Sequence, residues 1–294
     1  METGREGFVK FRQGVNVLLS PVNTMKRMIA RLQRPTLPVF GYSTNKNRIV
    51  HVDSLQDQEL QQLNQLLDWN CFVVDNRGRR FGNGAWKGKR IEPQEIPDRR
   101  IVLLHERFDL SDKHVLEVGC FEGIHTVGLS MFAQKVTAID SRIENVVKTI
   151  VRCAMFGYNP VVFKHDVEEH SAGTRIPDVD VIHHVGVLYH LRDPVTHLIE
   201  LGRHCRLGMM LDTHYCRDEE ARDEYEVSGK NYRYKTYRES GYRDVFSGMY
   251  DHAKWLRLAD IRTLLSQAGF KKVDVVEDRQ ERNGPRLLLF AERR

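Results

Sequence analysis

From His114 to Thr126 the chain reads "HVLEVGCFEGIHT". A short apolar run carries Glu117, and Gly119, Cys120 and Gly123 follow where a helical stretch begins. Gly119 and Gly123 let a backbone turn sharply and come close to a ligand. A second run, "KVTAID", ends in Asp140, about 23 residues after Glu117. A carboxylate there can accept hydrogen bonds from both hydroxyls of a ribose. The third run, "PVVFKHD", ends in Asp166, placed to meet an adenine amino group, and the fourth leads into "HHVGVLYH". Glu117, Gly119, Cys120, Gly123, Asp140, Asp166, Val167 and Val185 form the expected cofactor-binding set, which describes an adenosine-type site.

Charge chooses between two ligands of that type. A nicotinamide dinucleotide needs G-x-G-x-x-G, so that a helix N-terminus can hold the pyrophosphate. Here Gly119 and Gly123 enclose Cys120-Phe121-Glu122. The close glycine pair is missing, and Glu122 is expected to repel a pyrophosphate. S-adenosylmethionine carries a sulfonium cation and no phosphate, so acidic residues on the strand and in the turn suit it. It is the expected cofactor.

Tyr189 and His190 follow the fourth run, where an acceptor would approach, and are the catalytic candidates. An imidazole with a reference pKa near 6.5 suits proton abstraction. His125 and His214 are rivals for that role. Orientation alone can supply much of the rate of a methyl transfer. His183, His184 and His190 invite a metal reading. Residues 183 and 184 point to opposite faces of a strand, so no metal site is expected.

These residues need a scaffold. From about His114, seven short apolar runs alternate with helical stretches near 124–133, 142–156, 168–172, 193–205 and 258–268. Such alternation predicts an α/β fold with a parallel sheet covered on both faces. The last two runs, "KKVDVVED" and "RLLLFAE", meet at a loop around Asn283-Gly284 and are expected to pair antiparallel at one edge. Residues 1–107 read as a mainly helical extension or cap. It contains an amphipathic stretch with Met25, Met28, Ile29 and Leu32, a second helix in "SLQDQELQQLNQLLDW", two strands around Asp75-Asn76-Arg77-Gly78, and a helix starting near Asp98. Residues 108–294 read as the sheet domain, with an insert over 212–257 that holds most of the tyrosines. Those tyrosines either stack on a substrate or belong to a helical lid and pack on the domain.

In order, these motifs resemble the class I S-adenosylmethionine-dependent methyltransferases. "VLEVGCFEG" is similar to that family's first motif, "VTAID" to its second, and "KHDVEE" to its adenine-contacting segment. The resemblance implies a Rossmann-like sheet of seven strands, the last antiparallel. Within it, "FDLSDKHVLEVGCFEGIHT", "VGVLYHLRDPVTHL", "LDT" and "LLSQAGF" resemble the tRNA wobble-uridine carboxymethyltransferases, which use a carboxylated form of S-adenosylmethionine. Tyr189 fits their cofactor-contacting tyrosine. The tail "PRLLLFAERR" departs from that pattern. The "GVLYH-x-x-x-P" block also resembles methyltransferases of small molecules and sugars. Three readings follow: methyl transfer to an oxygen or nitrogen of a small molecule or sugar, modification of a tRNA wobble uridine, and a non-catalytic adenosyl-binding subunit.

The chain has 294 residues and a net charge of +5, a mild bias that leaves an anionic acceptor such as tRNA open. Five scattered cysteines without a C-x-x-C pair fit a reducing, cytoplasmic setting. No apolar run nears the roughly 20 residues of a membrane helix, so no membrane partner is expected. A homo-oligomer is compatible with the sequence.

Overall fold

The computed structural model describes residues 51–82, 92–169 and 176–294. The amphipathic stretch around Met25–Leu32 lies outside the described residues, as does part of the helix expected over 168–172. Residues 51–294 lie in one compact unit. Among the described residues no helix is long and apolar enough to cross a membrane.

Two helices, α1 (His51–Ser54) and α2 (Asp57–Leu66), precede a small hairpin of β1 (Phe72–Val74) and β2 (Arg80–Gly82). The helix α3 (Arg99–Phe108) starts where the Asp98 side chain accepts the Arg100 N–H at 2.9 Å, an N-cap that satisfies an orphan donor. The alternating unit then runs β3 (His114–Val118), α4 (Ile124–Phe132), β4 (Lys135–Asp140), α5 (Ile143–Met155), β5 (Val161–Lys164), β6 (Val179–Val185), α6 (Pro194–Arg203) and β7 (Cys205–His214).

The insert is a three-stranded antiparallel sheet in the order β10-β9-β8, with β8 at Asp223–Val227, β9 at Lys230–Arg238 and β10 at His252–Leu256. This corrects the helical lid. Ser228 and Gly229, both with positive φ, form the two-residue turn that joins β8 to β9, and positive φ at both positions matches the twist of a hairpin. Tyr232 and Tyr234 alternate along β9, which is strand periodicity. Helix α7 (Leu258–Gln267), β11 (Lys272–Glu281) and β12 (Gly284–Glu292) complete the chain.

The main sheet has the order β11-β12-β7-β6-β3-β4-β5. Strand β12 runs antiparallel to both neighbours, while β3, β4, β5, β6 and β7 pair in parallel. Successive strand residues feed opposite cores, as a pleat requires. Leu116 and Val118 join Leu198 and Leu264 of α6 and α7. Val115 joins Leu104 and Leu129 of α3 and α4. A third cluster joins Leu60, Trp69, Cys71 and Phe81 to Ile124, so residues 51–82 share a core with the helices beside β3 and β4. The order of connection reverses between β3 and β6, and ligands of open α/β sheets bind at the carboxyl ends of strands at such a switch point.

Candidate active site

A cavity of about 250 Å³ lies over those strand ends. Glu117, Gly119, Cys120, Asp140, Asp166, Val167, Val185, Tyr189 and His190 all line it. Gly123 does not. It caps α4 at φ 80°, and a side chain there would meet the Thr149 Cα at 3.0 Å. Its space is taken by helix packing.

The turn after β3 is tied to β4. The N–H groups of Gly119 and Cys120 both donate to the Ile139 carbonyl, at 2.9 and 3.0 Å. Phe121 then takes a left-handed conformation at φ 50°, and its N–H donates to the Asp140 carboxylate at 2.9 Å. The other Asp140 oxygen accepts the Arg142 N–H at 2.9 Å and the Asn145 side-chain amide at 3.0 Å. Those bonds fix the carboxylate, while burial raises its pKa. Asn145 lines the cavity, and its buried Oδ1 has no hydrogen-bond partner, which leaves an acceptor for a ligand hydroxyl.

Glu117 is fully buried and accepts the Thr126 hydroxyl at 2.6 Å. Burial pushes its pKa up to about 8; the Thr126 bond opposes that and Asp140 adds to it. A cation would stabilise the ionised form. Glu117 faces His183 across the paired strands, and the two lie with His125 within 4.8 Å of one another by ligand atoms. Neither ring nitrogen of His183 has a hydrogen-bond partner, and burial holds its pKa well below the usual imidazole value. Two imidazoles and a carboxylate are metal-type donors. Against a dication, the Arg100 guanidinium stands 3.0 Å from the His125 ring nitrogen. His184 instead faces the opposite core, where its Nε2 lies 2.9 Å from that of His197.

Glu122 is not in the cavity, which corrects its expected part in setting the ligand's charge. Its carboxylate turns away and accepts the Asn70 and Cys71 N–H groups, at 2.8 and 3.0 Å, and the Lys148 ammonium at 3.0 Å. Burial pushes its pKa up, but Lys148 and Arg152 outweigh that and leave it lowered. Arg152 is fully buried and also donates to the Glu122 carbonyl at 2.6 Å.

The insert roofs the cavity with residues 245–249. Arg142 holds this loop by donating to the backbone carbonyls of Gly241, Tyr242, Asp244, Ser247 and Gly248 at 2.7–3.4 Å. Phe246 meets Phe121 with ring centroids 5.5 Å apart. The insert tyrosines pack elsewhere. Tyr232 is buried in the main core with Tyr225 and Tyr234 against it, and Tyr237 stacks on Trp255 at 4.3 Å. None of these four lines the cavity, so the packing reading of the tyrosines holds for them.

Of the histidine candidates, His190 and His125 line the cavity and His214 does not. His214 is buried, stacks on Trp255 at 4.8 Å and meets the Pro285 carbonyl at 3.1 Å. Arg100 and Arg286 bring positive charge to the cavity wall. Arg286 pairs with buried Asp212, which also receives Arg279 at 3.0 Å.

Residues 90–275 match the family described as a methyltransferase domain, well over half of the chain. The chain belongs to this methyltransferase family. The methyltransferase uses S-adenosylmethionine as its methyl donor. A tRNA U34 carboxymethyltransferase of Methylococcus capsulatus is 36% identical over 108 residues, covering 35% of this chain and 33% of that protein. Another of the same name, from Shewanella halifaxensis, is 26% identical over 200 residues, covering 64% and 56%. The methyltransferase thus spans about a third and somewhat over half of these curated relatives. Among solved structures, the N-terminal domain of EvdMO1 with SAH bound is 24% identical with a TM-score of 0.69, covering 82% of this chain and 98% of that one. The same domain in the presence of SAH and D-fucose gives 22% and 0.65. At these identities the likeness is one of fold.

Sequence reasoning missed Arg142, Asn145 and Arg286; it marks the insert over 212–257 as a lid that covers the acceptor, but not that residues 245–249 are the part lining the cavity. Arg142 and Asn145 sit two and five residues beyond Asp140, on the element that any ligand of Asp140 must pass. Their nearness to Asp140 was the available signal.

Proposed function

We propose that this methyltransferase transfers a methyl group to an oxygen or nitrogen of a small-molecule or sugar acceptor. The observation that carries this reading is the roof. Residues 245–249 line the same cavity as Tyr189 and His190, so an acceptor is enclosed between the insert and the strand ends, as small-molecule sites are. The fold neighbour studied in the presence of D-fucose supports a sugar among such acceptors.

S-adenosylmethionine supplies an electrophilic methyl group on a sulfonium. In this reading Asp140 and the open Asn145 Oδ1 accept ribose hydroxyls. Asp166 and Val167 border the adenine. Glu117, Gly119, Cys120 and Val185 form the floor, where the Glu117 carboxylate favours a cation. Tyr189 and His190 border the transfer site, and the roof excludes water from it.

A second reading rests on Arg286. Its guanidinium lies over Tyr189 in the cavity wall and supplies a cation for a carboxylated donor. With the two relatives named as tRNA U34 carboxymethyltransferases, it favours tRNA wobble-uridine modification.

Thermal unfolding with S-adenosylmethionine, its carboxylated form and NAD separates these readings. S-adenosylmethionine at 100-fold saturation is expected to add about 2.7 kcal/mol. A larger shift with the carboxylated form moves the assignment to tRNA. A shift with NAD alone sinks both. Acceptor binding that weakens steeply with salt points to phosphates, whereas a neutral small acceptor stays flat.

A further inference from the structure

We propose that His190 and Glu239 form a histidine–carboxylate dyad that takes the proton from the acceptor, and that the acceptor group is an aliphatic, sugar-type hydroxyl. This rests on the small-molecule reading above and deepens it. His190 follows β6 in the main domain, and Glu239 follows β9 in the insert, 49 positions later. The His190 Nδ1 lies 2.7 Å from a Glu239 oxygen. The second Glu239 oxygen accepts the Ser247 hydroxyl at 2.7 Å, and the Ser247 oxygen accepts the Ser240 N–H at 3.0 Å. The Glu239 N–H donates to the Asp251 carbonyl at 2.8 Å, which fixes the strand end that delivers it. The Glu239 side chain is only 4% exposed.

Such a carboxylate assigns the tautomer. Nδ1 carries the hydrogen that Glu239 accepts, and Nε2 keeps the lone pair of a base. His190 lines the cavity beside Tyr189, whose ring centroid is 4.2 Å away. The roof also presses on His190: a side chain at Gly248 would stand 3.2 Å from the His190 Cβ. Glu239 from the insert and Tyr189 beside it face the imidazole, and Arg142, Asp166, Glu168 and Arg286 are among the charged groups that share its cavity.

An aliphatic hydroxyl holds its proton at neutral pH, so a positioned base assists its attack. In the proposed step the acceptor O–H bond breaks and its proton passes to Nε2. An oxygen lone pair forms the bond to the methyl carbon, and the sulfur–methyl bond breaks with its electron pair going to sulfur. The products are a methyl ether, a neutral thioether and an imidazolium facing Glu239, whose proton returns to solvent. His190 is then the catalytic residue and Glu239 a positioning residue.

Two measurements test this on the full chain. Nitrogen-15 NMR of the His190 ring, with S-adenosylhomocysteine present, reads the tautomer without any turnover. The Nδ1–H form is expected, and its downfield proton is lost in Glu239→Gln. Methyl transfer is then followed with a panel of free hexoses, 6-deoxyhexoses and bulk tRNA. His190→Ala is expected to lower kcat on the hydroxyl acceptor by roughly 100-fold or more. Glu239→Gln lowers it less, the double variant is no slower than His190→Ala, and donor affinity is unchanged in all three. Added imidazole restores part of the His190→Ala rate. An Nε2–H tautomer, or near wild-type kcat in His190→Ala, overturns the dyad. So does a loss confined to acceptor KM. Methyl transfer into tRNA with none into the sugars overturns the acceptor reading and, with it, the hydroxyl class assigned here.

Discussion

The Arg286 guanidinium lies 5.4 Å from the centroid of the Tyr189 ring, and both side chains line the cavity. Behind them the buried Asp212 carboxylate receives Arg286 and Arg279, with Arg100 at 3.8 Å. Asp98 also pairs with Arg100, and Glu281 with Arg279 and Arg286, so carboxylates match the three guanidinium groups. In the second reading proposed above, Arg286 beside Tyr189 is the cation that meets the extra carboxylate of the donor. Arg286→Ala should therefore weaken a carboxylated form of S-adenosylmethionine by about tenfold or more, the scale of a hydrogen bond to a charged group. Titration of both donors against both proteins checks it. Equal losses for the two donors would show that Arg286 does not read the added carboxylate.

Asp140 is held by three donors before any ligand arrives. Asp140→Asn keeps the shape and removes the charge, and Asp140→Ala removes both. Losing charge-assisted bonds costs about 1.5–3 kcal/mol each, so Asp140→Ala should weaken S-adenosylmethionine by roughly tenfold or more. Calorimetry that finds unchanged affinity would refute the ribose assignment.

Glu117 gives the site a pH dependence with a definite sign. Its pKa stands at about 8 without a ligand. A bound cation favours the carboxylate, so binding releases a proton wherever free Glu117 is still protonated. Affinity for S-adenosylmethionine should climb as pH rises from about 5 and level off above about 8, with a slope of at most tenfold per unit from this group. Glu117→Gln should flatten the part of the profile that Glu117 causes. An identical profile in wild type and Glu117→Gln would place the titration elsewhere.

Glu122 carries stability. Removing it leaves Lys148 and Arg152 buried without their carboxylate, and breaking a buried pair from one side costs about 3–5 kcal/mol. Urea unfolding of Glu122→Ala should show a loss of that order. A loss under about 1 kcal/mol would mean that the cluster relaxes into water.

Local pattern revealed what the sheet topology brings together. Parallel strands end side by side, so Glu117, Asp140 and Asp166 could be gathered from the sequence, and the antiparallel pairing of β11 with β12 at the sheet edge followed from the loop at Asn283-Gly284. Side-chain direction inside the turn was not legible. Glu122 lies one residue before Gly123, yet it serves Asn70 and Cys71 more than 50 positions earlier. Glu239 was hidden for the same reason, because its nearness to His190 depends on how a separate three-stranded sheet docks. The alternation in "NYRYKTYR" was a readable strand signal that the insert's length obscured.

Arg142 grips the roof almost wholly through main-chain carbonyls. The grip therefore does not depend on which side chains residues 245–249 carry. Val245, Phe246 and Met249 can be exchanged while the loop stays anchored two residues beyond Asp140. The insert is thus two parts in one: an exchangeable faceplate at positions 245, 246 and 249, and a fixed frame at Glu239 and Ser247 that stays with His190 whatever the faceplate becomes.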